Sequence, residues 1–251
     1  MNEIQNNENE IEKSEPLSAA EIQHLEAQLL VDDWGCLEYE TALKNQELLV
    51  NEMGNLPPHP NRPGFLIFCS HPPVVTTGRG TKENDISSWA GSRIEVSRGG
   101  RATYHGPSQL VVYPIVDLRL QRKGRKSNDV GGFLRALESG IIHGLARFGV
   151  ITNNKPESDQ LMKYSVDDNL PQVTGVWVGD RKICSIGIGV RKWISFHGAA
   201  VNVDEDPTAF SGMNPCGFKP EVMISLEKVL GVRIHREAFL AIMKESLQKA
   251  L

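Results

Sequence analysis

The cysteine at position 216 lies between a proline and a glycine, in the segment Asn214-Pro215-Cys216-Gly217. Proline and glycine so close together predict a turn, where a thiol is poorly placed to fill a core. Exposed thiols on turns are reactive when a cation lies nearby, because the cation favours the nucleophilic thiolate. Cys216 is therefore a candidate nucleophile, and the alternative is an incidental surface cysteine.

A lysine enters an otherwise apolar strand at position 182, directly after the predicted hairpin turn Gly179-Asp180. Most lysines at the start of a strand point to solvent. A lysine held against an apolar wall can instead supply a fixed cation or carry a proton. Cys184, two positions further along the same strand, is predicted to fill the core.

A glycine-rich segment, RGGRATYHGP, covers residues 98–107. The adjacent Gly99 and Gly100 allow backbone N–H groups to face a ligand with no side chain between them. Arg98, Thr103 and His105 would add side-chain donors. The alternative is a tight loop between two strands with no ligand, since paired glycines are common in turns.

Strands and helices are predicted around these segments without strict alternation, which favours the α+β class. The clearest helix, 128–148, has one apolar stripe, a cap at Ser127 or Asn128, and Gly149 after its end. Residues 153–172 are predicted as a loop. Predicted helices cover 18–31, 36–53, 128–148 and 236–250, and predicted strands cover 65–69, 74–77, 94–96, 110–114, 173–178, 182–190, 193–196 and 199–203.

The composition limits the class of protein. Residues 1–17 are rich in Glu and Asn and predict a disordered acidic N-terminal tail, leaving 18–251 as a single domain. No apolar run of about 18 residues is present, so no membrane span is expected. The four cysteines have no zinc-ligand spacing, and the N-terminus does not resemble a secretory signal, so we expect a cytoplasmic protein with free thiols.

Four segments, in order, together resemble the lipoyl(octanoyl) transferase family, also called octanoyl-acyl-carrier-protein:protein N-octanoyltransferases. The resemblance covers about residues 30–250. It departs from the family pattern at Ser108, where HGPGQ has glycine, at Cys184, where alanine is usual, and at Ala199, where leucine is usual. The matching stretches are HPPVVTTGRG (71–80), RGGRATYHGPSQLVVYPIVDL (98–118), GVWVGDRKICSIGIGVRKWISFHGAAVNV (175–203) and NPCG (214–217).

The resemblance implies a mixed sheet flanked by helices, like the catalytic domain of biotin and lipoate protein ligases. It implies that residues 18–251 form one acyltransferase catalytic domain, with Cys216 as the acyl-thioester nucleophile. It implies that Lys182 favours the thiolate and is the nearest base, with His105 or His197 as an assistant. The implied acyl-binding residues are Arg98, Gly99, Gly100, Arg101, Ala102, Thr103, Tyr104, His105, Ser185, Ile186, Gly187, Gly198, Ala199 and Ala200.

The implied reaction moves an octanoyl group from octanoyl-acyl carrier protein to a lysine of a lipoyl domain. The implied acceptors are the lipoyl domains of 2-oxoacid dehydrogenases and the glycine cleavage H protein, with no cofactor, metal, nucleic acid or membrane. Five of the eight residues 119–126 are basic and are expected to contact the acidic carrier, unless they form a solvated loop. The alternatives are an ATP-dependent lipoate or biotin protein ligase, a thiol hydrolase, and a non-catalytic binder of lipoyl domains.

Overall fold

The computed structural model describes residues 29–122, 124–166 and 173–251. The predicted acidic tail and most of the predicted helix 18–31 lie outside these residues. The strands in chain order are β1 (Leu30–Cys36), β2 (Phe65–Ser70), β3 (Val74–Thr77), β4 (Ser92–Glu95), β5 (Thr103–His105), β6 (Gln109–Ile115), β7 (Gly175–Val178), β8 (Arg181–Arg191) and β9 (Ile194–Asn202).

The helices are α1 (Tyr39–Asn55), α2 (Val130–Arg147), α3 (Leu226–Leu230) and α4 (Arg236–Ala250). Short 3-10 turns cover Glu83–Asp85, Asp159–Tyr164, Pro215–Gly217 and Pro220–Val222. None of the helices in the described part of the chain is both long and apolar enough to cross a lipid bilayer.

Six strands form the main sheet in the order β1-β2-β6-β9-β8-β7. Within it β1 and β2 are parallel, and the other neighbouring strands are antiparallel. A second sheet has the order β4-β3-β5, with β3 parallel to β4 and antiparallel to β5. Both sheets are therefore mixed, and the predicted α+β class with a mixed sheet flanked by helices is confirmed.

Alternation along the strands divides the core between the two faces of the main sheet. In β2, Leu66 and Phe68 pack with the buried residues of α2 and α4. Their neighbours Ile67 and Cys69 point the other way and pack with α1. The helices thus cover opposite faces of one sheet, and the central strands are buried on both sides.

Several predicted boundaries are wrong. Residues from Leu30 form strand β1 rather than a helix, and Cys36 ends that strand instead of opening α1. Helix α2 is capped by Asp129, whose carboxylate accepts the Gly132 N–H at 2.7 Å, and not by Ser127 or Asn128. The predicted loop 153–172 contains the 3-10 turn Asp159–Tyr164, and residues 167–172 lie outside the described residues.

The basic segment 119–126 is partly committed to the fold. Arg119 donates to both carboxylate oxygens of Asp117, at 2.8 and 2.6 Å. Arg125 is 6% exposed, and its guanidinium lies 5.6 Å from the ring centroid of Phe133. Arg125 is therefore not part of a solvated loop, whereas contact of the segment with a carrier protein stays a prediction. Lys123 lies outside the described residues.

The two strands predicted at 193–196 and 199–203 are one strand, β9, with a local distortion. His197 has φ of 56°, in the left-handed region, yet it still pairs with Ile188 of β8. The last residue of β6 that pairs with β9 is Val112, which lies opposite Ala199. At Gly198 the backbone passes so close to β6 that a Cβ atom would overlap the Val112 carbonyl oxygen. Glycine therefore permits the distortion.

We expect Gly198→Ala to lower the free energy of unfolding by about 2 kcal/mol or more, since backbone must move to admit the methyl group. Besides the Val112 oxygen, the new carbon would lie 2.9 Å from Pro114 Cδ. Denaturant unfolding measures the loss. The control Gly131→Ala in α2, whose nearest neighbour is the flexible Arg135 Nη1 at 3.3 Å, should stay within about 1 kcal/mol of wild type. Equal effects of the two substitutions would contradict the argument.

Candidate active site

Cys216 lies on the 3-10 turn Pro215–Gly217, as the Pro-Cys-Gly sequence predicts. Its φ and ψ of 57° and 20° are left-handed, a conformation that costs a residue with a side chain about 1 kcal/mol or more. Its N–H donates to the Ala102 carbonyl at 2.8 Å. The expectation of an exposed thiol is wrong: Cys216 is 8% exposed, because it packs among apolar residues that include Met213 and Phe218.

An ion pair holds this turn against the rest of the site. Arg101 donates from Nε to both carboxylate oxygens of Asp85 at 3.0 Å, and Asp85 is fully buried. The Asp85 carbonyl accepts the Asn214 N–H at 2.8 Å. The Arg101 guanidinium also covers Gly217, where a Cβ atom would lie 2.6 Å from Arg101 Cζ. Arg101 thus positions the turn that carries Cys216.

Lys182 is 1% exposed, unlike most lysines at the start of a strand. Its Nζ lies 5.3 Å from the ring centroid of Trp177 and 5.8 Å from that of Phe218. Gly175 leaves the space that its stem occupies, since a Cβ there would lie 2.6 Å from Lys182 Cε. Lys182 therefore provides a positive charge inside an aromatic wall.

The thiol of Cys216 and the ammonium of Lys182 approach the same part of the molecule. Phe218, which lies against Lys182, belongs to the same apolar cluster as Cys216. Cys216 Sγ lies 3.9 Å from Ser185 Oγ, in the same strand as Lys182. Cys184 lies within electrostatic reach of both groups, is fully buried, and fills the core as predicted; burial raises the pKa of its thiol.

The glycine-rich segment is organised around the buried side chain of Arg98. Its guanidinium donates to the carbonyls of Gly99 at 3.0 Å and Arg101 at 2.9 Å, and to the carbonyl and hydroxyl of Thr76 at 3.0 and 2.8 Å. The Gly99 N–H donates to the Ile188 carbonyl at 3.1 Å. The Gly99 N–H is therefore used within the protein, and the expectation that it faces a ligand is wrong.

A narrow pocket opens beside Cys216. Alternation along β5 turns Thr103 and His105 toward the pocket and Tyr104 away from it, so that Tyr104 packs against Trp89 and Phe210. The pocket is lined by Tyr39, Arg98, Thr103, His105, Tyr113, Ser185, Ile186, Gly187, His197, Gly198, Ala199, Ala200 and Cys216.

Most of the residues implied by the resemblance meet at this pocket. Its lining does not include Gly99, Gly100, Arg101, Ala102, Tyr104 or Lys182. Tyr39 and Tyr113 were missed. Tyr113 lies within the matching stretch 98–118 and could have been predicted from it. Tyr39 belongs to the apolar stripe of α1, and nothing in the sequence indicates that it lines a pocket.

Aromatic rings and imidazoles form a cluster at one side of the pocket. The rings of Tyr39 and His105 are stacked, with centroids 5.5 Å apart. The Tyr39 hydroxyl lies 3.5 Å from His197 Nδ1. Behind them, His71 contacts the Leu37 carbonyl through Nδ1 and the Tyr113 hydroxyl through Nε2, both at 2.8 Å. His71, which follows β2 directly, thereby links the segment between β1 and α1 to β6.

Burial keeps these imidazoles neutral. It lowers the pKa of His71, lowers that of His105 well below its ordinary value, and lowers that of His197 to about 3. The Arg98 guanidinium adds to the effect on His105 and His197. Burial also raises the pKa of the Tyr39 hydroxyl to about 12. The cluster is therefore polar but uncharged at neutral pH.

We expect the free energy of unfolding to fall as the pH drops from about 7 to about 5. Below about pH 6.5 the unfolded chain binds protons on His105 and His197 and the folded chain does not, so each of these two contributes a loss of about 1.4 kcal/mol per pH unit. Denaturant titrations at several pH values measure this slope. His105→Phe should make it shallower, and a slope that does not change in this variant would contradict the assignment.

Two solved structures share the fold. Lipoate-protein ligase A bound with ATP superposes with a TM-score of 0.59 and 18% identity, over 89% of this chain and 86% of that chain. The bipartite lipoate protein ligase of Thermoplasma acidophilum, studied with its E2 lipoyl domain, gives a TM-score of 0.61 and 13% identity, over 89% and 83%. Identities this low show the fold alone, and that fold is the predicted one.

Sequence relatives show the family. Residues 38–248 match the lipoyl protein ligase A/B catalytic domain. The octanoyltransferase of Bdellovibrio bacteriovorus is 47% identical over 227 residues, which cover 90% of this chain and 98% of that protein. The octanoyltransferase of Geobacter metallireducens is 36% identical over 203 residues, 81% and 84% of the two chains. The chain therefore belongs to the octanoyltransferases of the lipoyl protein ligase A/B catalytic domain family.

Proposed function

We propose that this enzyme transfers an octanoyl group from octanoyl-acyl carrier protein to a lysine of a lipoyl domain, through a thioester on Cys216. The position of the Cys216 thiol carries the proposal. It is held on a strained turn beside a narrow pocket, next to Ser185 Oγ and within the apolar cluster that Lys182 also borders. The names of the sequence relatives supply the octanoyl group.

In the first half-reaction the Cys216 thiolate attacks the carbonyl carbon of the donor thioester. A new carbon–sulfur bond forms to Cys216, the bond to the carrier's sulfur breaks, and the leaving thiolate takes a proton from the Lys182 ammonium. In this proposal Lys182 and Arg98 place positive charge near the attacking sulfur, and Arg98 lies within electrostatic reach of Cys216. The products are an octanoyl enzyme and the free carrier thiol.

In the second half-reaction the neutral Lys182 amine takes a proton from the acceptor lysine. The neutral amine of the acceptor attacks the thioester, forms the amide and expels the Cys216 thiolate. The nitrogen of the new amide loses one further proton, which passes to water. Each cycle therefore restores the charged pair. Conversion of a thioester to an amide runs downhill, so no nucleotide is required.

The acceptors in this proposal are the lipoyl domains of 2-oxoacid dehydrogenases and the glycine cleavage H protein. A solved structural neighbour was studied together with an E2 lipoyl domain, which supports that acceptor class. We place the reaction in the cytoplasm, whose reducing conditions suit the free thiols of Cys36, Cys69, Cys184 and Cys216.

Intact-mass spectrometry tests the covalent step. Mixed with octanoyl-acyl carrier protein in the absence of ATP, the wild-type enzyme should gain one octanoyl group, and Cys216→Ala should gain none. Cys184→Ala is the matched control, since it removes a buried thiol that lies outside the pocket lining, and it should be acylated like the wild type. Amide formation only with ATP and free octanoate would instead identify a ligase.

Lys182→Met tests the proton carrier. Methionine fits the apolar wall but has no charge and no exchangeable proton, so kcat/KM for amide formation should fall about 100-fold to 10,000-fold. Lys163→Met is the control, since Lys163 also lies over a ring, 4.8 Å from the Tyr164 centroid, but is exposed. A folded Lys182→Met enzyme within about threefold of wild-type activity would exclude this role.

A further inference from the structure

The cluster of Tyr39, His105 and His197 lies at the end of the pocket remote from Cys216. Ser185, whose hydroxyl contacts the Cys216 thiol, is paired with Ala200 of β9. From Ala200 to His197 is three residues of strand, or roughly 10 Å. An extended eight-carbon acyl chain that starts at the thiol has a similar length. Its last carbon would therefore reach this cluster.

This end of the pocket is polar and incompletely hydrogen-bonded. Among the residues that the structure describes, His105 Nδ1 and His197 Nε2 are buried and find no hydrogen-bond partner. The contact between the Tyr39 hydroxyl and His197 Nδ1 is long, at 3.5 Å. A hydrocarbon cannot satisfy such atoms, whereas water or a hydroxyl group of a ligand can.

We propose that Tyr39, His105 and His197 form a polar end to the acyl pocket that limits plain chains to octanoyl length and accepts a hydroxyl group at the end of such a chain. The inference rests on the proposed function, because it assigns specificity to the same pocket. These residues are specificity determinants rather than catalytic groups.

The physical basis is the cost of burying a polar atom without a partner. A decanoyl chain must push methylene groups against the neutral imidazoles and exclude the water that would otherwise satisfy them. A hydroxyl on the eighth carbon can itself donate to, or accept from, those same atoms. The end of the pocket therefore discriminates by hydrogen bonding as well as by volume.

The test compares three donors on one carrier protein: octanoyl, decanoyl and 8-hydroxyoctanoyl. For the wild-type enzyme, kcat/KM for decanoyl should be at least about tenfold below that for octanoyl, and 8-hydroxyoctanoyl should be within about tenfold of octanoyl. His105→Phe keeps a ring but removes the polar nitrogens. It should raise the decanoyl-to-octanoyl ratio about tenfold and lower the 8-hydroxyoctanoyl-to-octanoyl ratio about tenfold.

Each ratio compares two donors in the same enzyme preparation, so a loss of folded enzyme lowers both kcat/KM values equally and leaves the ratio unchanged. Tyr39→Phe, which removes only a hydroxyl group, should move both ratios in the same directions and serves if His105→Phe does not fold. His143→Phe in α2, outside the pocket lining, is the control and should leave both ratios unchanged.

Discrimination of more than about 100-fold against 8-hydroxyoctanoyl by the wild type would overturn the inference. Unchanged ratios in the pocket variants would overturn it as well. In either case octanoyl transfer would stand. Failure of the wild type to transfer any of the three donors would instead overturn the proposed function, and this inference with it.

Discussion

The ion pair between Arg101 and Asp85 is the interaction on which the site depends. It is buried, and it joins the loop after the glycine pair to the 3-10 turn Glu83–Asp85. Asp85 in turn holds Asn214 through its carbonyl, and Arg101 covers Gly217. Removing either partner would leave an uncompensated buried charge, which is far more costly than losing an exposed pair. The strained turn at Cys216 is thus maintained by groups that lie outside the pocket lining.

The site contains three buried cationic side chains, each compensated differently. Arg101 is paired with a carboxylate, and Arg98 is surrounded by backbone carbonyls and a threonine hydroxyl. Lys182 lies against aromatic rings, within electrostatic reach of Glu138, whose own pKa is raised by burial. Arginine keeps its proton in almost any environment, whereas a lysine can release one. In the proposed mechanism the residue that exchanges a proton is the lysine, and the two arginines provide fixed charge.

The sequence predicted those elements that are determined by residues next to one another in the chain. Pro215 and Gly217 specify a turn wherever they occur, and the apolar stripe of α2 specifies a helix. The burial of Cys216 could not be predicted, because it depends on apolar residues of separate segments, such as Ala102 and Trp177, that pack with it only in the folded chain. Strand β1 was missed because it lies at the edge of the sheet, where Asp32 and Asp33 are tolerated.

The pocket shows the same division. The stretches of the resemblance are far apart in the sequence, and together they contain every lining residue except Tyr39. Tyr39 comes from the start of a helix and His71 from a segment after β2, and their proximity is a property of the folded chain. The distortion of β9 at His197 was read as a break between two strands. Only the neighbouring β6 backbone shows why the chain continues through it.

The single strand β9 has a consequence for how such an enzyme can change during evolution. It carries Ala200, which pairs with Ser185 beside the thiol, and it carries His197 three residues away, so a fixed backbone sets the separation between them. An insertion of one residue between them would turn one end of the strand inside out, since side chains alternate between faces. Insertion of single residues into this strand would therefore disrupt the pocket rather than lengthen it. New substrate lengths must arise by exchanging side chains at the ends, which makes the preference easy to alter in small steps while the architecture stays constant.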